Sequence, residues 1–187
     1  MNCELIPFDR YRGLPPLFRA FLRGLPQFYP DPPSLDAAAA RAGEILGRPA
    51  RVPAAAFRCR GPAGRDLAQA LAHGKAVAVT AGHQVGLFTG PLFALLKAFD
   101  AIRVAREISA RGVPAVPVFY ALTDDHDLEE IAKTARPRPE GPEILVLEGA
   151  DRSNRRPVGP LPIPAKVTEI VEKFRPYARA PGADEVL

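Results

Sequence analysis

The chain has 187 residues, 47% of them hydrophobic and 25% charged, the composition of a soluble globular domain with room for a core. Two cysteines and no Cys-x-x-Cys pair exclude a disulfide framework and a cysteine-built zinc site. The net charge of +4 is dispersed, without a run of like charges or aromatic residues interleaved with basic ones, so nucleic acid is not an expected partner. No basic-then-apolar leader and no run of 18 apolar residues occurs, so a membrane is not expected either and the cytoplasm is the default compartment.

Proline is heavy, at 22 residues, and gathers in the first 53 positions and from Pro137 onward. Residues 54–113 carry only Pro62 and Pro91, so regular structure should centre there. Near the start, Phe18, Phe21, Leu22 and Leu25 have helical spacing, ended by Pro26. Ser34 is a good N-cap for a second helix, with Gly47 as its stop. These elements are expected to form a Pro-rich N-terminal wrap over residues 1–53, with the core domain in residues 54–187.

Residues 75–80 are short, apolar on both faces and β-branched at alternate places, which suits a buried parallel strand. A long helix follows, with Thr89 or Gly90 as cap, Pro91 at its first position, and Gly112 with Pro114 closing it. Leu92, Leu95, Leu96, Phe99, Ile102 and Ile108 form its apolar stripe. Residues 116–122 are the next strand, completing a βαβ unit with parallel strands. Residues 144–147 are the candidate for one more strand, and residues 167–174 for a short helix with Ile170, Val171 and Phe174 on one face.

Polar residues crowd both strand ends. The first end holds glycines as Gly82-x-x-x-Gly86-x-x-x-Gly90, which is neither a dinucleotide nor a triphosphate loop. A glycine-rich turn feeding a helix still offers free N–H groups to an anion, and His83 and Gln84 add a proton carrier and an amide. The bland alternative is a tight turn in which His83 only bonds the backbone. The second end is Asp124-Asp125-His126-Asp127, three carboxylates and an imidazole that could hold a divalent metal or orient a general base. Against this, Asp127 and Glu130 have capping-box spacing, so Asp127, Glu129 and Glu130 are better assigned to a helix start. Asp125 and His126 keep the stronger functional claim. In open α/β sheets ligands sit beyond the carboxyl ends of the strands, so the two joints point to one site. His73 is a turn residue, Cys59 is filler, and Arg152, Arg155 and Arg156 are a solvated loop.

The run Thr80-Ala81-Gly82-His83-Gln84-Val85-Gly86-Leu87-Phe88-Thr89-Gly90-Pro91-Leu92, then Lys97 and Ile102, then residues 116–120 and Asp124-Asp125-His126-Asp127-Leu128-Glu129-Glu130-Ile131, together resemble the cysteine-adding enzyme family of bacillithiol biosynthesis. Phe28-Tyr29-Pro30 and the helix after it fit as well. Ala81 stands where the family has Thr, and Asp124 where Glu is more usual. The resemblance implies a Rossmann-like core of the nucleotidyltransferase kind, and ligation of cysteine to glucosaminyl malate. It also implies a long coiled coil for dimerisation that has no counterpart here. Family members run to several hundred residues, so the chain is expected to be a fragment or a stand-alone N-terminal half, inactive alone.

The fold expected is therefore α/β, a partial Rossmann-like parallel sheet with an irregular N-terminal wrap. His83, His126 and Asp125 are the expected catalytic residues. Gln84, Gly86, Thr89, Gly90 and Asp124 are expected to bind substrate, and no metal is assigned. A nucleotide cofactor stays open, since no ATP loop is recognisable. The rival readings are a truncated, non-catalytic Rossmann-like binding module and a nucleotidyltransferase-like enzyme.

Overall fold

The computed structural model describes residue 10 and residues 13–24, 30–49, 51–149, 153 and 155–177. In chain order the elements are α1 (Pro16–Leu22), α2 (Leu35–Ile45), α3 (Gly61–Ala72), β1 (Val77–Gln84), α4 (Leu92–Ala110), β2 (Ala115–Leu122), α5 (Leu128–Ile131), β3 (Lys133–Arg136), β4 (Glu143–Val146) and α6 (Val167–Phe174). Leu25, Pro26, Phe28, Tyr29 and Arg152 lie outside the described residues. β1 and β2 form a two-stranded parallel sheet joined through α4, the βαβ unit of a Rossmann-like fold. The chain divides into two compact units, residues 1–79 with 102–117 and residues 80–101 with 118–187.

In the first unit, Ser34 caps α2 by accepting the Ala37 N–H at 3.1 Å. The helix then stops short of Gly47, whose positive φ of 91° suits glycine. The Gly47 N–H donates to the Gly74 carbonyl, and a Cβ on Gly74 would come within 2.9 Å of the Gly47 backbone. A small core gathers Ala39 and Ala42 of α2 with Val77 of β1 and Ile108 of α4. The helix α3 is not signalled in the sequence, because Gly61, Pro62 and Gly64 look like loop. It forms because Pro62 is tolerated in the first turn and Ala68 and Leu71 are buried on one face.

The apolar stripe expected of α4 is packed in the second half of the helix, where Ile108 is buried and Ile102 half-buried, but not in the first. Ala94, Ala101, Ala105 and Ile108 are buried, whereas Leu92, Leu96 and Phe99 are 69%, 55% and 64% exposed. In the first half of the helix the buried positions are the small Ala94 and Ala101, and the large side chains turn outward.

In the second unit, residues 144–147 do not extend the parallel sheet. They supply β4, which pairs antiparallel with the unforeseen β3, Lys133 opposite Val146 and Arg136 opposite Glu143. The Arg136 guanidinium lies 2.7 Å from the Glu143 carboxylate across that pair. α6 forms over the residues expected and covers the hairpin, with Ile170 buried against Ala132, Leu145 and Leu147. Phe174 stacks on Phe88 at 4.3 Å between ring centroids.

Candidate functional site

β1 runs on through His83 and Gln84 instead of ending at Thr80, so both side chains are held by a strand. Gly82 suits the close approach there, since a Cβ would lie 3.1 Å from the Tyr120 carbonyl oxygen and press on it. Gln84 then reaches across to the other strand end, its side-chain amide donating to Asp125 Oδ2 at 2.5 Å. An ionised carboxylate can only accept, so the Gln84 nitrogen must face it. Asp125 Oδ1 also accepts the backbone N–H groups of His126 at 2.6 Å and Asp127 at 3.2 Å. The Gln84 bond first, and these two N–H groups after it, hold the Asp125 pKa below the ordinary carboxylate value. The Asp125 carbonyl accepts the Val158 N–H at 2.9 Å, so the residue is fixed through side chain and backbone alike.

The two histidines are placed differently. The His83 ring is partly buried and meets Phe93 edge-on at 6.0 Å. Its Nδ1 lies 3.1 Å from the Gln84 carbonyl oxygen. A carbonyl only accepts, so this contact puts a proton on Nδ1, and in the neutral ring Nε2 then carries the lone pair. The His126 side chain is 61% exposed, its Nδ1 3.7 Å from Asp125 Oδ1, within ion-pair range once protonated but beyond hydrogen-bond distance.

The three carboxylates of the second strand end have three separate partners. Asp125 takes Gln84; Asp124 accepts the Tyr120 hydroxyl at 3.3 Å, and its charge raises the Tyr120 pKa. Asp127 accepts the Glu130 N–H at 3.2 Å as the N-cap of α5, the structural role expected of it. Among the described residues no group of three or more His, Cys, Asp or Glu side chains is arranged to hold a metal ion.

The glycine turn is compact and strained. A Cβ on Gly86 would come 2.9 Å from the Gly90 Cα. Phe88 and Thr89 both adopt positive φ, 53° and 73°, a region costly for side-chain-bearing residues and most for a β-branched one. The Gly90 N–H is taken by the Leu87 carbonyl and the Thr89 hydroxyl donates to the Phe88 carbonyl, so neither is idle.

Beside this link opens a cleft of about 560 Å³, lined by Gly86, Leu87, Thr123, Leu128 and residues 158–159 and 161–164 among others. It adjoins Gln84 and Asp125 through Gly86 and Thr123. Neither His83 nor His126 lines it. Its wall at 158–159 escaped the sequence reading. The Val158 and Gly159 N–H groups bond the Asp125 and Thr123 carbonyls, and a Cβ on Gly159 would lie 3.0 Å from the Thr123 Cβ. No periodicity marks such a pairing of irregular backbone. Phe93 and Lys97 were also unassigned; Lys97 donates to the Gly82 carbonyl at 3.2 Å.

Residues 53–183 match the family model described as bacillithiol biosynthesis BshC, N-terminal Rossmann-like domain. A Symbiobacterium thermophilum protein named "Putative cysteine ligase BshC" is 35% identical over 138 residues, 71% of this chain and 25% of that protein. Its namesake in Heliobacterium modesticaldum is 34% identical over 110 residues, 58% of this chain and 20% of that protein. In Koribacter versatilis a third of the same name is 49% identical over 63 residues, 34% of this chain and 12% of that protein. The chain thus spans about a quarter or less of the length of these relatives.

Proposed function

Because the chain belongs to the BshC family of bacillithiol biosynthesis through its N-terminal Rossmann-like domain, we propose that it carries part of the site at which cysteine is joined to glucosaminyl malate. The observation that carries this reading is the Gln84–Asp125 hydrogen bond, which ties the two polar strand ends together. Amide formation requires the attacking amine to lose a proton as the activated acyl carbon loses its leaving group. A neutral imidazole suits the first task. His83 offers a free Nε2, and His126 stands beside an ionised Asp125 that would stabilise the imidazolium. Gln84, Gly86 and Asp124 would position the substrate around them, with Thr89 and Gly90, whose donors are taken inside the turn, shaping the backbone beside it. On this reading the protein works on small-molecule substrates in the cytoplasm.

The test is a cysteine-addition assay on a full-length relative carrying His83→Ala, His126→Ala or Asp125→Asn at the aligned positions. Loss of the true acid–base residue should lower the rate about 10²–10⁴-fold with little change in Tm. Near-parental rates in all three variants would return these residues to structural roles.

A second reading is a binding module without its own catalysis. It is favoured by β1 pairing with β2 alone in the parallel sheet among the described residues, and by the outward large side chains of α4. Parallel sheets ordinarily have more strands and both faces covered. Ligation by the purified 187-residue chain alone would overturn that reading.

A further inference from the structure

Lys97 sits one and a half turns into α4, partly buried, with its Nζ directed back to the end of β1. It donates to the Gly82 carbonyl at 3.2 Å and lies 4.6 Å from the centroid of the Phe93 ring. The same ring receives the edge of His83 at 6.0 Å, so one aromatic side chain holds the ammonium and the imidazole. Among the described residues no carboxylate pairs with Lys97. The contrast within the same unit is sharp: Lys133 is 3.0 Å from Glu129, and Lys166 is 2.5 Å from Glu148.

An ammonium has three N–H donors and no acceptor. One is given to Gly82 and one face lies against Phe93, which leaves the half-buried ammonium with donors to spare for a ligand. Hydrogen bonds from an ammonium to a carboxylate are stronger than those between neutral groups, so an anion is the partner such a donor favours. The opposite charge is also tethered to β1, two residues on, where Gln84 holds Asp125. The strand end therefore carries one fixed cation and one fixed anion, a pattern that fits a ligand bearing both charges.

We propose that Lys97 is the anion-binding group of this strand end and takes a carboxylate of the ligand, leaving Asp125 to face the ligand's ammonium. The inference rests on the ligase reading only for which carboxylates are at hand, that of cysteine or those of the malyl group.

The test uses the 187-residue chain and small probes. L-Malate, L-cysteine and cysteamine, which lacks a carboxylate, are titrated while the Lys97 Cε and Nζ signals are followed by NMR, assigned with Lys97→Arg. A carboxylate probe should move those signals. Lys97→Met should weaken its binding about ten- to a hundredfold, the worth of one charged hydrogen bond. Lys97→Arg should keep the affinity near that of the parent, and cysteamine should be indifferent to Lys97→Met. A response to L-malate alone would assign the malyl carboxylate, and to L-cysteine alone the cysteine carboxylate. Unmoved Lys97 signals in the parent chain would overturn the proposal, and so would parental affinity in a folded Lys97→Met. Should Lys97→Met fail to fold, the parent signals decide. Carboxylate binding through Lys97 in a family whose full-length members add no cysteine would sink the ligase reading and leave this one standing.

Discussion

Gln84 at the end of β1 and Asp125 beyond the end of β2 are 41 residues apart in sequence and 2.5 Å apart in space. That bond does two things. It holds Asp125 ionised, and it fixes how the two polar strand ends meet.

Replacing Gln84 with Leu should raise the Asp125 pKa toward the ordinary carboxylate value, since the largest cause of its depression is removed. Carbon-detected titration of the carboxyl signal measures this directly. An unchanged midpoint in Gln84→Leu would mean that the His126 and Asp127 N–H groups alone set it.

The same depression has a pH signature. A carboxyl whose folded pKa lies below its unfolded value adds stability that is fully present above the unfolded pKa and lost as pH falls through the folded one. Asp125 and Glu143, the latter lowered chiefly by Arg136, should both contribute this way. Urea midpoints recorded from pH 5 downward should fall less steeply in Asp125→Asn and Glu143→Gln than in the parent. Parallel profiles in all three proteins would contradict the assignment.

The glycine turn should answer oppositely to two small changes. Thr89→Gly relieves a β-branched residue at φ 73° and should stabilise the fold by up to about 1 kcal/mol, the relief of left-handed strain exceeding the added chain entropy. Gly86→Ala drives a methyl to 2.9 Å from the Gly90 Cα and should cost about 1–3 kcal/mol. Equilibrium unfolding of both variants is the check. Equal effects would show that the turn yields freely.

The exposed first half of α4 should drive self-association. Light scattering is expected to show concentration-dependent oligomers, and Leu96→Glu with Phe99→Glu should reduce them while changing stability by only about 0.5 kcal/mol. Ala105→Leu, at a position only 1% exposed, should cost about 1–3 kcal/mol instead. A monodisperse parent chain would sink the first expectation.

The sequence by itself determined what local chemistry controls. Ser34 and Asp127 announced their caps because capping is decided by the next three residues, and β2 and α6 were legible from their apolar spacing. The two polar strand ends were legible for the same reason, as were His83, Gln84 and Asp125 as residues of interest. Tertiary structure alone decided the rest. Which positions of α4 are buried was decided by tertiary packing, which covers Ala101 and Ala105 and leaves Leu96 and Phe99 exposed, against the order their size would suggest. Residues 144–147 joined β3 because Ala132, Leu145 and Ile170 bury each other there, a contact no periodicity records. Gln84 became the partner that orients Asp125, and Lys97 a cation without a carboxylate, only once distant segments were folded together. Hydrogen bonds and charges are satisfied by proximity in space, and a linear pattern of residue types carries no distance between them.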